Sequence, residues 1–506
     1  MENNESQGMD RQEKLNDITR VSKDRGFFFP TADIYGGRAG FFTYGHLGKM
    51  LKRNWESYWK RMIFSLSDNF YEIQSNNILP GKVFEASGHL DSFNDPLTQC
   101  KKCGKRFRAD KILEAEGVED AEGLSLEEMN KEFESRGLGC SDCGSGLSEV
   151  KWFNMMFEVP IGFEKEKGYL TPETAQSAYL AFKNEFNATR GKLPLGLVIV
   201  DKAFRNEISP RQMFFRLREF SQAELQIFFD PDKIDEHGDW VNVKDSKIKV
   251  KLSSEDEARE ISCSELNEKH GIPKYYVYHL SKVQDFYMNV MKLPEEKFRL
   301  RELSGSEKAF YNKYHYDVEV YLDTLGGFKE VGGVHYRTDH DLKGHQKVSS
   351  ERMKVSHESK KFIPHVLELS FGIDRNIWAL LDVFHGQGKE GTMFKFPDKF
   401  SPYKAAVLPL VKKREEFVEI SIKIHSHLKQ EGFSVYYDET SSIGKRYARQ
   451  DEIGTPYCIT VDDQTLEDGS VTLRDRDSLE QKRVSKENLD ETLDKLVKDK
   501  LSFEEL

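Results

Sequence analysis

Phe204-Arg205-Asn206-Glu207-Ile208-Ser209-Pro210-Arg211, running on to Arg216-Leu217-Arg218-Glu219-Phe220, decides how this chain is read. Apolar, strand-like segments flank it at residues 195–200 and 225–229. It therefore reads as a polar, proline-containing connection between two strands. Arg205, Arg211, Arg216 and Arg218 supply planar guanidinium groups suited to bidentate contact with phosphate or carboxylate oxygens. Phe220 adds a ring face at the far edge. The expectation is a site for a polyphosphate and a flat ring. Read as solvated loop charges, the same arginines leave the Arg-Asn-Glu order and the spacing to Phe220 as coincidence.

The surrounding chain has 506 residues, which is long for one core, so two or three domains are expected. Hydrophobic residues at 38% and aromatics at 12% are enough to fill sizeable cores. A formal charge of −11 argues against wholesale nucleic-acid coating but allows a local basic groove. Residues 1–20 are polar and charged, without the apolar stretch of a secretory signal. No apolar run approaches the length that spans a bilayer. Four of the six cysteines form two Cys-x-x-Cys pairs, which fits a reducing compartment. The expectation is a soluble, cytoplasmic, multidomain protein.

Outward from the arginine-rich connection, strand patterns recur at 194–200, 225–229, 318–322, 328–334 and 366–372, as in a largely antiparallel sheet. Residues 1–24 read as a disordered or weakly helical lead-in. An aromatic and glycine-rich segment follows from Arg25. Helical spacing then runs from Leu47 to about Asp68, with Leu47, Leu51, Trp55, Tyr58 and Met62 on the apolar face. From periodicity alone, that face is a core face. Residues 106–139 read as mostly helical around 124–133. Residues 231–316 read as a polar insertion, helical around 283–291, whose charge run is a solvated face. Gly386-Gln387-Gly388-Lys389-Glu390-Gly391, followed by Pro397 and Pro402, marks a linker. Beyond it, strands and helices alternate: strands at 405–408, 433–437, 457–461, 471–473 and 482–484, helices at 411–430, 443–452 and 486–500. That pattern predicts a compact α/β module with a mixed sheet. The expected division is a domain over 25–395, carrying insertions at 96–147 and 231–316, and a second over 402–506. There are no internal repeats.

Cys100-Lys101-Lys102-Cys103-Gly104 and Cys140-Ser141-Asp142-Cys143-Gly144 can set four thiolates around a zinc ion. The glycines permit tight turns that aim backbone N–H groups at sulfur. With all four positions filled by cysteine, such a site is structural. The alternative is free cytosolic thiols. Cys263 and Cys458 stand alone and read as core or surface residues. No Walker A string is present, and Gly36-Gly37-x-x-Gly40 is a weak match to a dinucleotide loop.

The arginine-rich string resembles motif 2 of class II aminoacyl-tRNA synthetases. Its form, FRNEISP followed by REF and by Ala223-Glu224, is similar to that of the glycine-specific family. Ser370-Phe371-Gly372-Ile373-Asp374-Arg375 resembles motif 3, and the helix after Tyr35-Gly36-Gly37 sits where motif 1 stands. Thr171-Pro172-Glu173-Thr174-Ala175-Gln176 resembles the family's PETAQ string, and residues 405–461 onward resemble the anticodon-binding domain of the glycyl, threonyl, prolyl and histidyl enzymes. The resemblance runs from Arg25 to Val497, with gaps at 110–139 and 231–316. Leu369 stands where the family has proline, Tyr336 where it has aspartate, and His46 where it has proline.

This resemblance implies an α+β catalytic domain on an antiparallel sheet, an α/β anticodon-binding domain, and ligation of glycine to tRNA(Gly) at the expense of ATP. Arg205 would meet the α-phosphate, Glu207 the adenine amino group, and Phe220 the adenine ring. Arg216 or Arg218, together with Arg375, would reach the γ-phosphate. Asn206, Phe215, Leu217, Glu219, Val331, Gly372, Ile373 and Asp374 complete the implied nucleotide set, and Glu330 would hold Mg²⁺. Arg108, Glu173, Phe220, Ser221, Gln222, Ala223, Glu224, Glu368, Leu369, Ser370, Phe371 and Gly372 are the implied glycine set. Glycine has no side chain to read, so its pocket must grip the ammonium with carboxylates and crowd the α-carbon. Arg337 is implied at the amino-acid end. A homodimer joined through the motif 1 helix is implied as well. In the C-terminal module, Tyr436, Tyr437 and the Lys445/Arg446/Arg449 cluster are the residues suited to RNA, at least one of the tyrosines being core. The rivals are a threonyl or prolyl ligase, which would lack the Glu173, Glu368 and Ser370 set, and a non-catalytic RNA-binding paralogue, which would have lost the motif arginines.

Overall fold

The computed structural model describes residues 10–118, 120–210, 213–305, 307–308, 312–388 and 391–506. Arg211, Lys389 and Glu390 lie outside the described residues. Apolar runs buried on both faces produce two long strands, Leu195–Phe204 and Glu219–Phe229. They pair antiparallel from Phe204↔Glu219 to Leu195↔Phe228, so the arginine-rich connection caps one end of the hairpin. His365–Gly372 pairs against the second strand, then Gly327–Thr338 and Tyr314–Leu322 follow, all antiparallel. Phe298–Glu302, Lys247–Lys251 and Arg259–Ser262 extend the sheet on one side, and Phe70–Glu72 closes the other, giving nine strands. Two pairs are parallel: Phe70–Glu72 with Leu195–Phe204, and Lys247–Lys251 with Phe298–Glu302.

The two faces of this sheet have different chemistry. One carries Val198, Ala223, Leu225, Val331, Leu369 and Phe371 into the main core, where the helices His46–Ser65 and Ile373–Val383 cover it. On the other, Leu195, Leu197, Ile199, Phe228 and Val366 pack under the helix Ala175–Ala188 at one end of the sheet. Toward the other end of that face the side chains turn polar, and a cleft opens.

Three expectations are corrected by packing. Residues 1–9 of the lead-in lie outside the described residues, and the rest is a regular helix from Arg11 to Arg25, with Ile18 and Val21 fully buried. Its Lys14 ammonium reaches Asp323 at 2.6 Å and Asp382 at 3.3 Å, an anchor that only the folded chain supplies. The 231–316 segment carries its expected helix, Lys274–Asp285 running on through Phe286–Val290, but it is not a separate excursion, because its strands join the main sheet. Lys247-Ile248-Lys249-Val250-Lys251 alternates with period two, placing Ile248 and Val250 in the core and the lysines outward. The Gly/Lys linker is replaced by a hairpin, His385–Gly388 with Gly391–Phe394. The segment after it is tied down, with Asn54 donating to the carbonyls of Phe400 (3.1 Å) and Ser401 (2.9 Å).

The helix at 46–65 forms as expected, but its inward stripe is Leu47, Leu51, Trp55, Trp59 and Ile63. Tyr58 and Met62 pack only at its margin. In the C-terminal module, Val435–Tyr437, Ala405–Pro409 and Tyr457–Val461 run parallel, and Ser470–Asp475 and Gln481–Ser485 add antiparallel, giving the expected mixed sheet over its own apolar core. Among the described residues, no helix is long and apolar enough to cross a membrane.

Candidate active site

Register sets the site. Gln226, Glu368, His335 and His315 stand opposite one another across four neighbouring strands. Two residues along, so do Glu224, Ser370, Gly333 and Asp317. Side chains two residues apart share a face, so both rows point into the polar cleft. Gly333 leaves a vacancy in the second row, and the His335 ring leans over it: a Cβ on Gly333 would lie 2.5 Å from His335 Nε2.

The first row is fully paired. Glu368 accepts from Arg337 at 3.0 Å and Gln226 at 2.8 Å, and meets His335 Nδ1 on its other oxygen. Burial alone would raise this carboxyl, but Arg337 and His335 outweigh it and hold it well below the usual range. Arg337 also donates twice to Asp341, each at 2.9 Å, and lies 3.8 Å from Glu173. Gln176 donates to Glu173 at 2.8 Å and its amide oxygen accepts from His345 Nε2 at 2.9 Å.

The second row is paired only at its outer end, where Asp317 accepts from Arg301 at 3.0 Å and meets His315 at 3.1 Å. Glu224 is buried, accepts one bond from the Ser370 hydroxyl at 2.8 Å, and its Oε2 has no partner. The buried Thr174 hydroxyl has none either. Burial, then the nearby charges of Glu368 and Glu173, push the Glu224 carboxyl up to about 8. An orphaned carboxyl beside two others is a receptor for a small cation.

Arginine and aromatic side chains cluster one strand-end away. Arg205 donates to the Pro172 carbonyl at 3.1 Å and lies between the rings of Phe93 (5.4 Å) and Phe220 (5.2 Å). Glu207 faces Arg216 at 3.6 Å. Arg375 binds the Glu330 carboxylate at 2.9 Å beside the Phe215 ring. Arg205, Glu207, Phe215, Arg216, Phe220, Glu330 and Arg375 line one cleft with Leu217, Ser221, Gln222, Ser370, Gly372 and Asp374. Asp374 accepts from Tyr44 at 2.6 Å and from the Ser221 N–H, with Lys52 at 3.8 Å, tying the His46–Ser65 helix to both cleft walls.

Other implied residues point elsewhere. Arg218 donates to the carbonyls of Glu207 and Ala39, so it shapes the loop, whereas Arg216 faces the cleft. Arg108 is buried and engaged by Asp95 (3.2 Å), Asp110 and Glu122 (2.8 Å). Val331, Ile373, Ala223, Leu369 and Phe371 bury their side chains in the main core and offer the cleft only backbone. Leucine in place of proline at 369 therefore leaves the cleft untouched. The Glu219 side chain is spent on Lys202, and Asn206 is held by its N–H to the Met155 carbonyl at 2.8 Å. Tyr336 bonds His365 at 2.6 Å on the core side of the sheet. His335, Gln226 and Tyr179, which donates to Gln226 at 3.0 Å, are site residues that sequence reasoning missed. The period-two step from Glu224 and Gly333 would have reached the first two.

Comparison with known proteins decides the family. Residues 157–384 match the class II tRNA synthetase core domain (G, H, P, S and T), and residues 404–496 match the anticodon binding domain. The glycine–tRNA ligase of Pyrococcus horikoshii is 38% identical, covering 96% of this chain and 99% of the relative. The chain belongs to the glycine–tRNA ligase family. Within the glycine–tRNA ligases, that of Methanothrix thermoacetophila is 35% identical over 98% of this chain and 99% of its own. The fold also matches a prolyl-tRNA synthetase from Cryptosporidium parvum, with a TM-score of 0.58 at 15% identity, over 95% of this chain and 77% of that one.

In this glycine–tRNA ligase family member, the cysteines converge as their spacing predicts. Cys100 and Cys143 sulfurs lie 3.5 Å apart, Cys103 and Cys140 3.7 Å, and all four fall within 4.8 Å of one another. Gly104 and Gly144 take the left-handed turns at φ 71° and 69°. The N–H groups of Cys103 and Lys102 draw the Cys100 thiol down to about 6.

The anticodon-binding module corrects one RNA expectation. Arg446 is buried and donates to the carbonyls of Pro409 (2.7 Å), Asp438 (3.1 Å) and Leu410 (3.2 Å). Arg449 pairs with Asp438 at 2.7 Å. Lys445 remains exposed, as does Tyr436 at 38%, while Tyr437 is half-buried and bonds Glu439. Arg446→Ala is expected to destabilise the module by ~2–4 kcal/mol, since it orphans buried carbonyls. Lys445→Ala and Tyr436→Ala are expected to leave stability intact and weaken tRNA binding. Urea unfolding and tRNA titration check both.

Proposed function

We propose that this protein joins ATP and glycine into glycyl-adenylate and then passes the glycyl group to the terminal adenosine of tRNA(Gly). The orphaned Glu224 carboxyl carries the reading. It sits beside Ser370, Glu173 and the His335 wall, one strand-end from a cleft of arginines and aromatic rings. The ammonium of glycine fits Glu224 and Glu173, with Ser370 as a hydrogen-bonding neighbour. The His335 ring leaning over Gly333 narrows the wall beside Ser370, which favours the smallest amino acid. The carboxylate of glycine is ionised at neutral pH and needs no general base. One of its oxygens bonds to the α-phosphorus, the bond to the bridging oxygen breaks, and pyrophosphate leaves with the electron pair. Arg205 stabilises the charge that gathers on the α-phosphate oxygens, and Arg216 and Arg375 hold the departing phosphates. Phe220 and Glu207 receive the adenine. A terminal adenosine hydroxyl of the tRNA then attacks the glycyl carbonyl, its proton leaves to solvent or phosphate, and AMP departs.

Glu330, exposed at the cleft rim beside Arg375, fits a Mg²⁺ ion shared with the ATP phosphates. Mg²⁺ there would neutralise phosphate charge. The four converged cysteines fit a tetrahedral structural Zn²⁺. A homodimer and a cytoplasmic location belong to the same proposal. Because Leu47, Leu51, Trp55 and Trp59 fill the chain's own core, a dimer contact at this helix would use its other face.

The test is amino-acid-dependent ATP–pyrophosphate exchange with glycine, alanine, serine, threonine and proline. Exchange with glycine alone is expected. Exchange with another amino acid would overturn the substrate, and none at all would overturn the enzyme reading in favour of an RNA-binding paralogue.

A further inference from the structure

The four-cysteine module touches the arginine-rich connection at several points. Strands Asn94–Gln99, Arg106–Arg108 and Lys151–Asn154 form a small sheet that runs directly into Cys100 and surrounds the cysteine turns. The Ser209 hydroxyl donates to the Arg106 carbonyl at 3.1 Å. The Asn206 N–H donates to the carbonyl of Met155, the residue after the third strand, at 2.8 Å. Phe93, the residue before the first strand, supplies one of the two rings that flank the Arg205 guanidinium. Thus Arg205 and Asn206 rest on one end of the small sheet, where the Met155 N–H bonds the Phe93 carbonyl at 3.0 Å, and Ser209 rests near its other end, where Arg106 pairs with Gln99 beside Cys100.

The module is held by a small apolar core and by the buried Arg108 among Asp95, Asp110 and Glu122, both away from the cysteine turns. Its apolar core is Ala109, Leu113, Ala121, Met129, Phe133 and Val150, a satellite too small to order so many loop residues unaided. The two cysteine turns meet through the Cys100↔Leu147 bridge, the Lys101 N–H to Gly146 carbonyl bond at 3.1 Å and the Lys105–Asp142 ion pair, and they join the small sheet through Gln99, which donates to the Gly104 carbonyl at 2.9 Å and accepts from the Ser148 N–H at 2.8 Å. A cross-link at the four sulfurs would therefore contribute much of the local order.

We propose that the four-cysteine module is a metal-dependent clamp that positions Arg205 and Glu207. The inference rests on the reading that these two residues hold ATP. Metal bound at Cys100, Cys103, Cys140 and Cys143 fixes the small sheet, and the sheet fixes the outer side of the connection. Glu224, Glu368 and Ser370 stand on central strands of the main sheet, and Glu173 is held by Gln176 of the helix Ala175–Ala188 at 2.8 Å, so the amino-acid pocket does not depend on the clamp. The cysteines are positioning residues, acting on ATP through Arg205 and Glu207.

Cys143→Ser is the direct variant, because Cys143 is exposed and its loss removes little packing. Zinc content, amide hydrogen exchange and the KM values for ATP and glycine are measured on wild-type and variant full-length protein. About one zinc per chain is expected in wild type and less in the variant. Amides 204–209 should exchange faster in the variant, while strands 219–229 and 365–372 keep their protection. KM for ATP should rise by ~10–100-fold and KM for glycine should stay unchanged. If Cys143→Ser does not fold, wild type stripped by chelator and reloaded with zinc gives the same comparison reversibly. Zinc-free wild type as isolated, unchanged exchange at 204–209 after metal loss, or equal loss of protection in all strands would each overturn the clamp. Absence of glycine-dependent activity would defeat the functional reading while the hydrogen-exchange comparison still decided the clamp.

Discussion

Arg205→Ala lowers the rate of glycine-dependent ATP–pyrophosphate exchange by at least ~10²–10³-fold, the cost of removing a preorganised donor from developing charge. The guanidinium is already held in place by the Pro172 carbonyl and by the rings of Phe93 and Phe220. Little reorganisation is left for the moment of reaction, so the loss should fall mainly on kcat. Arg205→Lys should recover only part of it, because a point-like ammonium cannot reproduce the planar fork between two rings. Arg216→Ala should raise KM for ATP instead. Steady-state exchange at varied ATP separates these outcomes, and an Arg205→Ala enzyme within tenfold of wild type would remove this residue from the chemistry.

Glycine binding releases a proton at neutral pH. In the empty cleft the Glu224 carboxyl is pushed up to about 8 by burial and by its acidic neighbours. It is therefore mostly protonated at pH 7, and gripping an ammonium requires the carboxylate. Glycine affinity should climb as pH rises toward about 8, by up to ~10-fold per unit, and then level off. Calorimetry in buffers of different ionisation enthalpy counts the proton directly. Glu224→Gln should abolish both the pH dependence and the proton release, and weaken glycine by ~10²–10³-fold, as expected when one member of a buried charge pair is removed. Stability without glycine carries the same signature with a definite sign. A carboxyl raised above its ordinary 4.5 contributes stability that is lost as pH climbs through about 8. Relative to wild type, Glu224→Gln should therefore gain thermal stability at pH 9 more than at pH 5. A pH-independent glycine affinity would show that Glu224 does not receive the ammonium.

Much of this was legible without coordinates, for local reasons. The arginine-rich connection announces itself because the residue types that bind phosphate and stack on rings are crowded between two apolar, strand-like segments. The paired cysteines are equally local, since Cys-x-x-Cys followed by glycine dictates its own turn. The strands of the main sheet around the cleft followed from alternation, and the mixed C-terminal sheet from alternating apolar runs. The misses share a cause too. Lys247–Lys251 looked like a charged surface run because its lysines dominate the composition, although Ile248 and Val250 carry the burial.

Residue type, spacing and periodicity were therefore determined by the sequence alone: which hairpin carries the arginines, which cysteines meet, and which acids could face a glycine. Tertiary structure decided which of those groups are spent. Arg218 and Arg446 are consumed by backbone carbonyls and Arg108 by three carboxylates, whereas Arg216 is left facing the cleft. Glu368 is neutralised by Arg337 and His335, while Glu224, one step along the sheet, is left with an unpaired oxygen. Pairing and burial depend on which strands lie side by side and in what register. Partners such as Glu368 with Arg337, or Lys14 with Asp382, are far apart in the chain, and no local pattern records that they meet.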